Sequence, residues 1–133
     1  MGSELFHTDR KVFQMNKFFL ICLGGAVGTG ARYLLSDAFP YGTLTVNVLG
    51  SFLMGVLMQL GLTTDLLSPT ARVVLTTGLM GGFTTYSSFN YETIQYFQNG
   101  ETLKGMMNLV VMVGVCLAAG FAGLVFAKRL IGN

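Results

Sequence analysis

The residues able to do chemistry in this 133-residue chain are few and concentrated. The stretch Gly78-Leu-Met-Gly-Gly-Phe-Thr-Thr-Tyr-Ser-Ser-Phe-Asn90 places three glycines, four Ser or Thr hydroxyls and three aromatic rings in thirteen residues. The segment around it is apolar enough to cross a bilayer, where unpaired backbone and idle polar groups are costly. Gly81-Gly82 in mid-span points to a helix break, with carbonyls freed before it and N–H groups freed after it. Freed carbonyls at membrane depth can hold a cation. The N–H groups, with the hydroxyls of Thr84, Thr85, Ser87 and Ser88, are donors and suit an anion. Tyr86 and Phe89 stand at i, i+3 on one face, and the edge of an aromatic ring is electropositive. The plainer reading of such a pair is packing on a neighbouring helix; the hydroxyls around it weaken that reading.

Two further elements carry polar groups at membrane depth. Thr43, Asn47 and Ser51 are spaced i, i+4, i+8 and fall near one face of a helix. One buried asparagine is accounted for by an interhelical hydrogen bond, but a stripe of three looks more like the wall of a pathway. Arg32 is a permanent cation near the end of a span, so it reaches the headgroups or faces a wet vestibule. The remaining candidates are weak. His7 lies in a polar terminal stretch. Cys22 and Cys116 fall in different spans with no C-x-x-C spacing, and read as small packing residues. No His, Cys or carboxylate constellation suggests an enzyme, no G-x-x-x-x-G-K-[ST] suggests a nucleotide site, and a net charge of +2 gives no sign of nucleic-acid binding.

The elements that position these residues are set by charge. The chain is 52% hydrophobic and 11% charged, against roughly 25% charged for a soluble domain. Uncharged runs of 27, 19 and 23 residues separate Asp37 from Asp65, Arg72 from Glu92 and Lys104 from Lys128. Each is near the roughly 20 residues that span a hydrocarbon core. A fourth span, 17–36, is interrupted only by Arg32. The fold class is therefore all-α: an integral membrane four-helix subunit with helices at 17–36, 44–61, 69–98 and 102–131, the third one broken. Thr43 and Ser68-Pro69 read as helix starts, and Asn99-Gly100 as a turn. Gly24, Gly28, Ala26 and Gly30 have the spacing that lets membrane helices approach closely. Residues 1–14 read as an N-terminal tail, a non-native stretch, a mis-called start or a short amphipathic lead-in, ahead of a four-helix transmembrane domain at 15–133. With four spans the termini share a side. Counted from Met15, that side carries Lys17, Arg72, Lys128 and Arg129, against Arg32 and Lys104 on the other. So small a bias permits insertion in both orientations and hence an antiparallel dimer.

Taken together, three motifs resemble a known family. Gly81-Gly-Phe-Thr-Thr-Tyr-Ser-Ser-Phe89 is similar to the Gly-Gly-x-Thr-Thr-Phe-Ser-Thr-Phe signature of the Fluc (CrcB) fluoride channels. Gly42-Thr-Leu-Thr-Val-Asn47-x-x-Gly50 and Gly24-Gly-x-x-Gly28-x-x-x-Arg32-Tyr33 resemble that family's second- and first-helix motifs, in the right order, across 15–133. The resemblance implies a dual-topology antiparallel homodimer in the cell inner membrane, with two fluoride pathways along its interface and passive export of fluoride from the cytoplasm. It implies pathway roles for Asn47, Tyr86, Phe89, Thr85, Ser88, Thr43 and Arg32. It also implies a structural sodium ion on the two-fold axis, held by the backbone carbonyls of Gly81 and Thr84. The chain departs from the pattern at Tyr86, usually Phe. On helix 4, Asn108, Met112 and Cys116 stand where hydroxyls are common. Two other readings fit the length and helix count. A small dual-topology multidrug exporter would need a membrane carboxylate in its first helix, whereas Asp37, Asp65, Glu92 and Glu101 lie near span ends. A non-transporting assembly subunit would use its glycines for packing alone.

Overall fold

The computed structural model describes the backbone of residues 2–132 and the side chains of residues 14–132. His7 lies outside the residues whose side chains are described. The elements run α1 (Gly2–Ala38), α2 (Gly42–Thr63), α3 (Pro69–Val73), a π-helical segment (Val74–Met80), α4 (Gly81–Phe83), α5 (Tyr86–Gln98) and α6 (Thr102–Leu130). No strand occurs among the described residues. Gln14–Ala38, Gly42–Thr63 and Thr102–Leu130 are long and apolar enough to cross a membrane. The region expected as the third span consists instead of pieces of 5, 7, 3 and 13 residues.

The sequence placed an interruption at Gly81-Gly82. Gly81 in fact keeps helical angles, φ −61° and ψ −36°. The chain leaves the helix at Thr84 (φ −86°, ψ 160°) and Thr85 (φ −149°, ψ 111°), both extended, and re-enters it at Tyr86. Gly82 and Gly28 serve close approach. A Cβ on Gly82 would overlap the Gly25 carbonyl, and one on Gly28 would overlap the Leu79 carbonyl. These interlocking small residues let α1 lie directly on the π-helical segment and α4. Lipid offers no hydrophobic drive for helix association, so such van der Waals contact carries the packing.

The second packed pair is α2 on α6. Val46, Met80 and Phe83 form the buried centre between the two pairs, flanked by Ala31, Leu35, Met54 and Leu57. Most of the remaining span surface faces outward, as expected of helices whose apolar side chains meet lipid. Ser68 caps α3 by accepting from the Ala71 N–H at 3.2 Å, with Pro69 in the first turn. The Asn99-Gly100 turn closes with Gly100 at φ 75°. Thr43, read as the cap of the second helix, does not cap it. Helix α2 starts at Gly42 with Tyr41 in the cap position and no side-chain cap bond.

Candidate functional site

The second of the two extended residues, Thr85, is held by one side chain from a distant part of the sequence. Asn47, buried on α2, accepts from the Thr85 N–H through Oδ1 at 2.8 Å and donates to the Thr85 carbonyl through Nδ2 at 2.9 Å. The carboxamide thus pairs with both backbone groups of Thr85, as a neighbouring strand would. This satisfies backbone that has left its helix inside a membrane protein. The Thr85 N–H would otherwise bond the Gly81 carbonyl in a continuous helix. Thr85 then starts α5, its Oγ1 accepting from the Ser88 N–H at 3.2 Å and donating to Ser88 Oγ at 3.0 Å.

A polar cavity of about 420 Å³ opens on one side of this junction. Thr29, Arg32, Tyr33, Ser36, Thr43, Thr85, Ser87, Ser88 and Glu92 line it. Arg32 Nη1 donates to the Thr84 carbonyl at 3.3 Å, and among the described residues Arg32 makes no ion pair. Thr43 Oγ1 donates to Glu92 Oε1. The wall therefore offers hydroxyls and a guanidinium, with its one carboxylate tied to a threonine. A cation at a cavity mouth raises the local concentration of anions.

A second, larger cavity of about 640 Å³ lies along α2 and α6 and is mostly apolar. Asn47, Gly50, Ser51, Thr84, Tyr86, Phe89, Met112, Cys116 and Gly120 are among the residues lining it. Tyr86 and Phe89 meet edge to face, ring centroids 5.5 Å apart at 69°. Phe89 is 3% exposed, whereas Tyr86 is 76% exposed and stands out from the chain. The two cavities share no lining residue, yet the Asn47–Thr85 pair joins one wall to the other.

The structure thus divides the expected site residues. Arg32, Thr43, Thr85 and Ser88 line the polar vestibule; Asn47, Tyr86 and Phe89 line the groove. The stripe of Thr43, Asn47 and Ser51 does not face one space, since Thr43 turns to Glu92 while the other two line the groove. Helix α5 explains the division. Thr85, Ser88 and Glu92 (i, i+3, i+7) form one stripe, and Tyr86 and Phe89 the adjacent one. The expected cation ligands lie at the same turn: Gly81 is exposed, and Thr84 lines the groove with its carbonyl turned to Arg32. Sequence reasoning missed Glu92 and Thr93 as parts of the site. Buried Thr93 donates to the Phe89 carbonyl at 2.8 Å and accepts from Asn108 Nδ2 at 2.9 Å, which ties α6 to α5 behind the Phe89 ring. The one available signal was position, for both extend the stripes of α5 by a turn.

Comparison with known proteins agrees with the motifs. The family model described as CrcB-like protein, Camphor Resistance (CrcB), matches residues 19–124. A fluoride-specific ion channel FluC of Sorangium cellulosum is 53% identical over 127 residues, covering 90% of this chain and 100% of the relative. A protein of the same name from Geobacter sulfurreducens is 43% identical over 124 residues, covering 87% of this chain and 100% of its own length. Another, from Anaeromyxobacter dehalogenans, is 45% identical over 126 residues, covering 89% and 100%. With long helices apolar enough to cross a membrane, these matches establish that the chain belongs to the CrcB family.

Proposed function

We propose that this protein is a fluoride-selective channel that exports fluoride passively from the cytoplasm across the inner membrane. The observation that carries the reading is the junction of two unlike cavities at Asn47 and Thr85. Fluoride is small and strongly hydrated, so leaving water is costly unless donors replace the lost shell. The vestibule offers Arg32 and the hydroxyls of Thr43, Thr85, Ser87 and Ser88 as first replacements. Beyond the junction the groove offers an Asn47 N–H and the edges of Tyr86 and Phe89, weaker partners from which an anion can depart.

The wider assembly belongs to the same reading. A groove lined by Gly50, Gly55 and Gly120, with Tyr86 projecting from it, suits a second copy packed in the opposite orientation. Two such copies give two pathways along their interface. The residues also suit the structural sodium ion that the resemblance implies. The Gly81 carbonyl lacks its helical partner because the Thr85 N–H goes to Asn47, and the Thr84 carbonyl, in extended backbone, accepts from Arg32 Nη1 at 3.3 Å and keeps a second lone pair. Each copy would supply those two oxygens, and the ion would pin the extended turns of the two chains together.

Fluoride efflux from liposomes holding the purified protein tests the function. Efflux that persists in excess chloride and needs no proton gradient is the expected result. Efflux no faster than from protein-free liposomes would refute the proposal, and proton-driven export of an organic cation would point to an exporter instead.

A further inference from the structure

Asn47 has two N–H donors. One is committed to the Thr85 carbonyl at 2.9 Å, and Oδ1 is committed to the Thr85 N–H. The second N–H points to the thioether of Met112, with Nδ2 3.6 Å from Sδ. Met112 is buried on α6 and lines the same groove. Its sulfur also receives the Cys116 thiol at 3.8 Å. The N–H held by Met112 is therefore the only donor Asn47 can lend to an ion without undoing the backbone pairing that supports Thr85.

We propose that Met112 is a positioning residue for the anion path: its thioether holds and aims the one free Asn47 N–H and gives it up readily to a passing anion. The inference rests on the fluoride reading of the groove. A thioether is a weak acceptor, and a hydrogen bond to a charged acceptor is roughly twice as strong as a neutral one. Transfer of the N–H from sulfur to fluoride is downhill. An oxygen acceptor in place of the sulfur would hold the same N–H more firmly and compete with the ion. Sulfur thus keeps the donor oriented without locking it, a role for which bulk alone does not suffice.

The test compares Met112→Gln, which supplies an oxygen acceptor on an unbranched side chain, with Met112→Leu, which keeps the bulk and removes the acceptor. The readouts are the fluoride concentration for half-maximal efflux and the maximal rate, on protein that elutes as the wild type does. For Met112→Gln the half-saturating concentration should rise about tenfold, equivalent to ~1.4 kcal/mol of competition. For Met112→Leu it should fall, since nothing competes for the N–H, but the maximal rate should drop a few-fold, since nothing aims it. Opposite signs from two changes that both remove the sulfur are not a packing effect. A shift in the same direction, or none, overturns the inference while wild-type efflux leaves the channel reading intact; absent wild-type efflux sinks the channel reading itself. Should either variant fail to fold, the side-chain amide signals of Asn47 in the wild-type protein decide. One proton should move on adding sodium fluoride and the other, on the Thr85 carbonyl, should not. Equal movement of both, or of neither, overturns the assignment.

Discussion

The vestibule and the groove meet at one asparagine but are built on opposite principles. In the vestibule the polar groups find partners within the chain: Arg32 on the Thr84 carbonyl, Thr43 on Glu92, Thr85 on Ser88. The groove is apolar, floored by glycines, and its most prominent aromatic, Tyr86, projects from the surface. The difference suggests a division of labour. On the proposed reading the vestibule would attract and begin to dehydrate an anion, and the groove would pass it on with few and weak partners and gain its second wall from a second copy.

Four substitutions probe that contrast, from the largest effect to the smallest. Gly28→Leu strikes the support of the vestibule. A side chain there meets the backbone of Leu79 and Phe83, so α1 must shift and carry Arg32 with it. Overpacking against backbone should cost about 3 kcal/mol, read as loss of the monodisperse species in detergent chromatography. Phe89→Ile strikes the groove. It removes the buried ring and its edge contact with Tyr86. Efflux should fall about tenfold, in keeping with the ~0.5–1.5 kcal/mol that such aromatic pairs contribute, while elution stays unchanged. Arg32→Gln leaves the fold intact and removes steering. Efflux at low salt should fall a few-fold, and the deficit should shrink as ionic strength rises past ~0.1 M, where the screening length is ~10 Å. An equal deficit at all salt concentrations would make Arg32 a scaffold for the Thr84 carbonyl instead. Tyr86→Phe should change efflux least, by about twofold or less, since the ring edge is kept. A large change would show that the hydroxyl meets the ion.

Much of this was legible in the sequence, and what was not has a physical cause. Two of the three uncharged runs marked long apolar helices, the third falling on the segmented region 69–98, and Ser68-Pro69 marked the start of α3, because these are local signals. The i, i+3 spacing of Tyr86 and Phe89 gave their shared face. The position of the extended turn was not local. The chain leaves the helix where Asn47, 38 residues from Thr85, replaces the backbone partners of Thr85 and Arg32 takes the Thr84 carbonyl. Of the pair Gly81-Gly82, Gly82 answers instead to the approach of α1, while a Cβ on Gly81 would meet only the Thr76 carbonyl at 4.0 Å. Thr43 had the residue type and place of a cap, but Glu92, 49 residues on, takes its hydroxyl. The π-helical segment Val74–Met80 has no composition that distinguishes it from an α-helix, and its contact with α1 is visible only in three dimensions.

The central claim is that an anion crosses from vestibule to groove at the Asn47–Thr85 pair, and Asn47→Ala measured beside the wild type tests it most directly. The substitution removes the one transferable donor and leaves the Thr85 N–H and carbonyl unpaired, about 1–3 kcal/mol for each buried group. The initial rate of fluoride efflux, per folded protein, should fall about a hundredfold, the factor that ~2.7 kcal/mol represents. A wild-type rate from well-folded Asn47→Ala protein would contradict the account, because the ion would then be passing somewhere other than the junction.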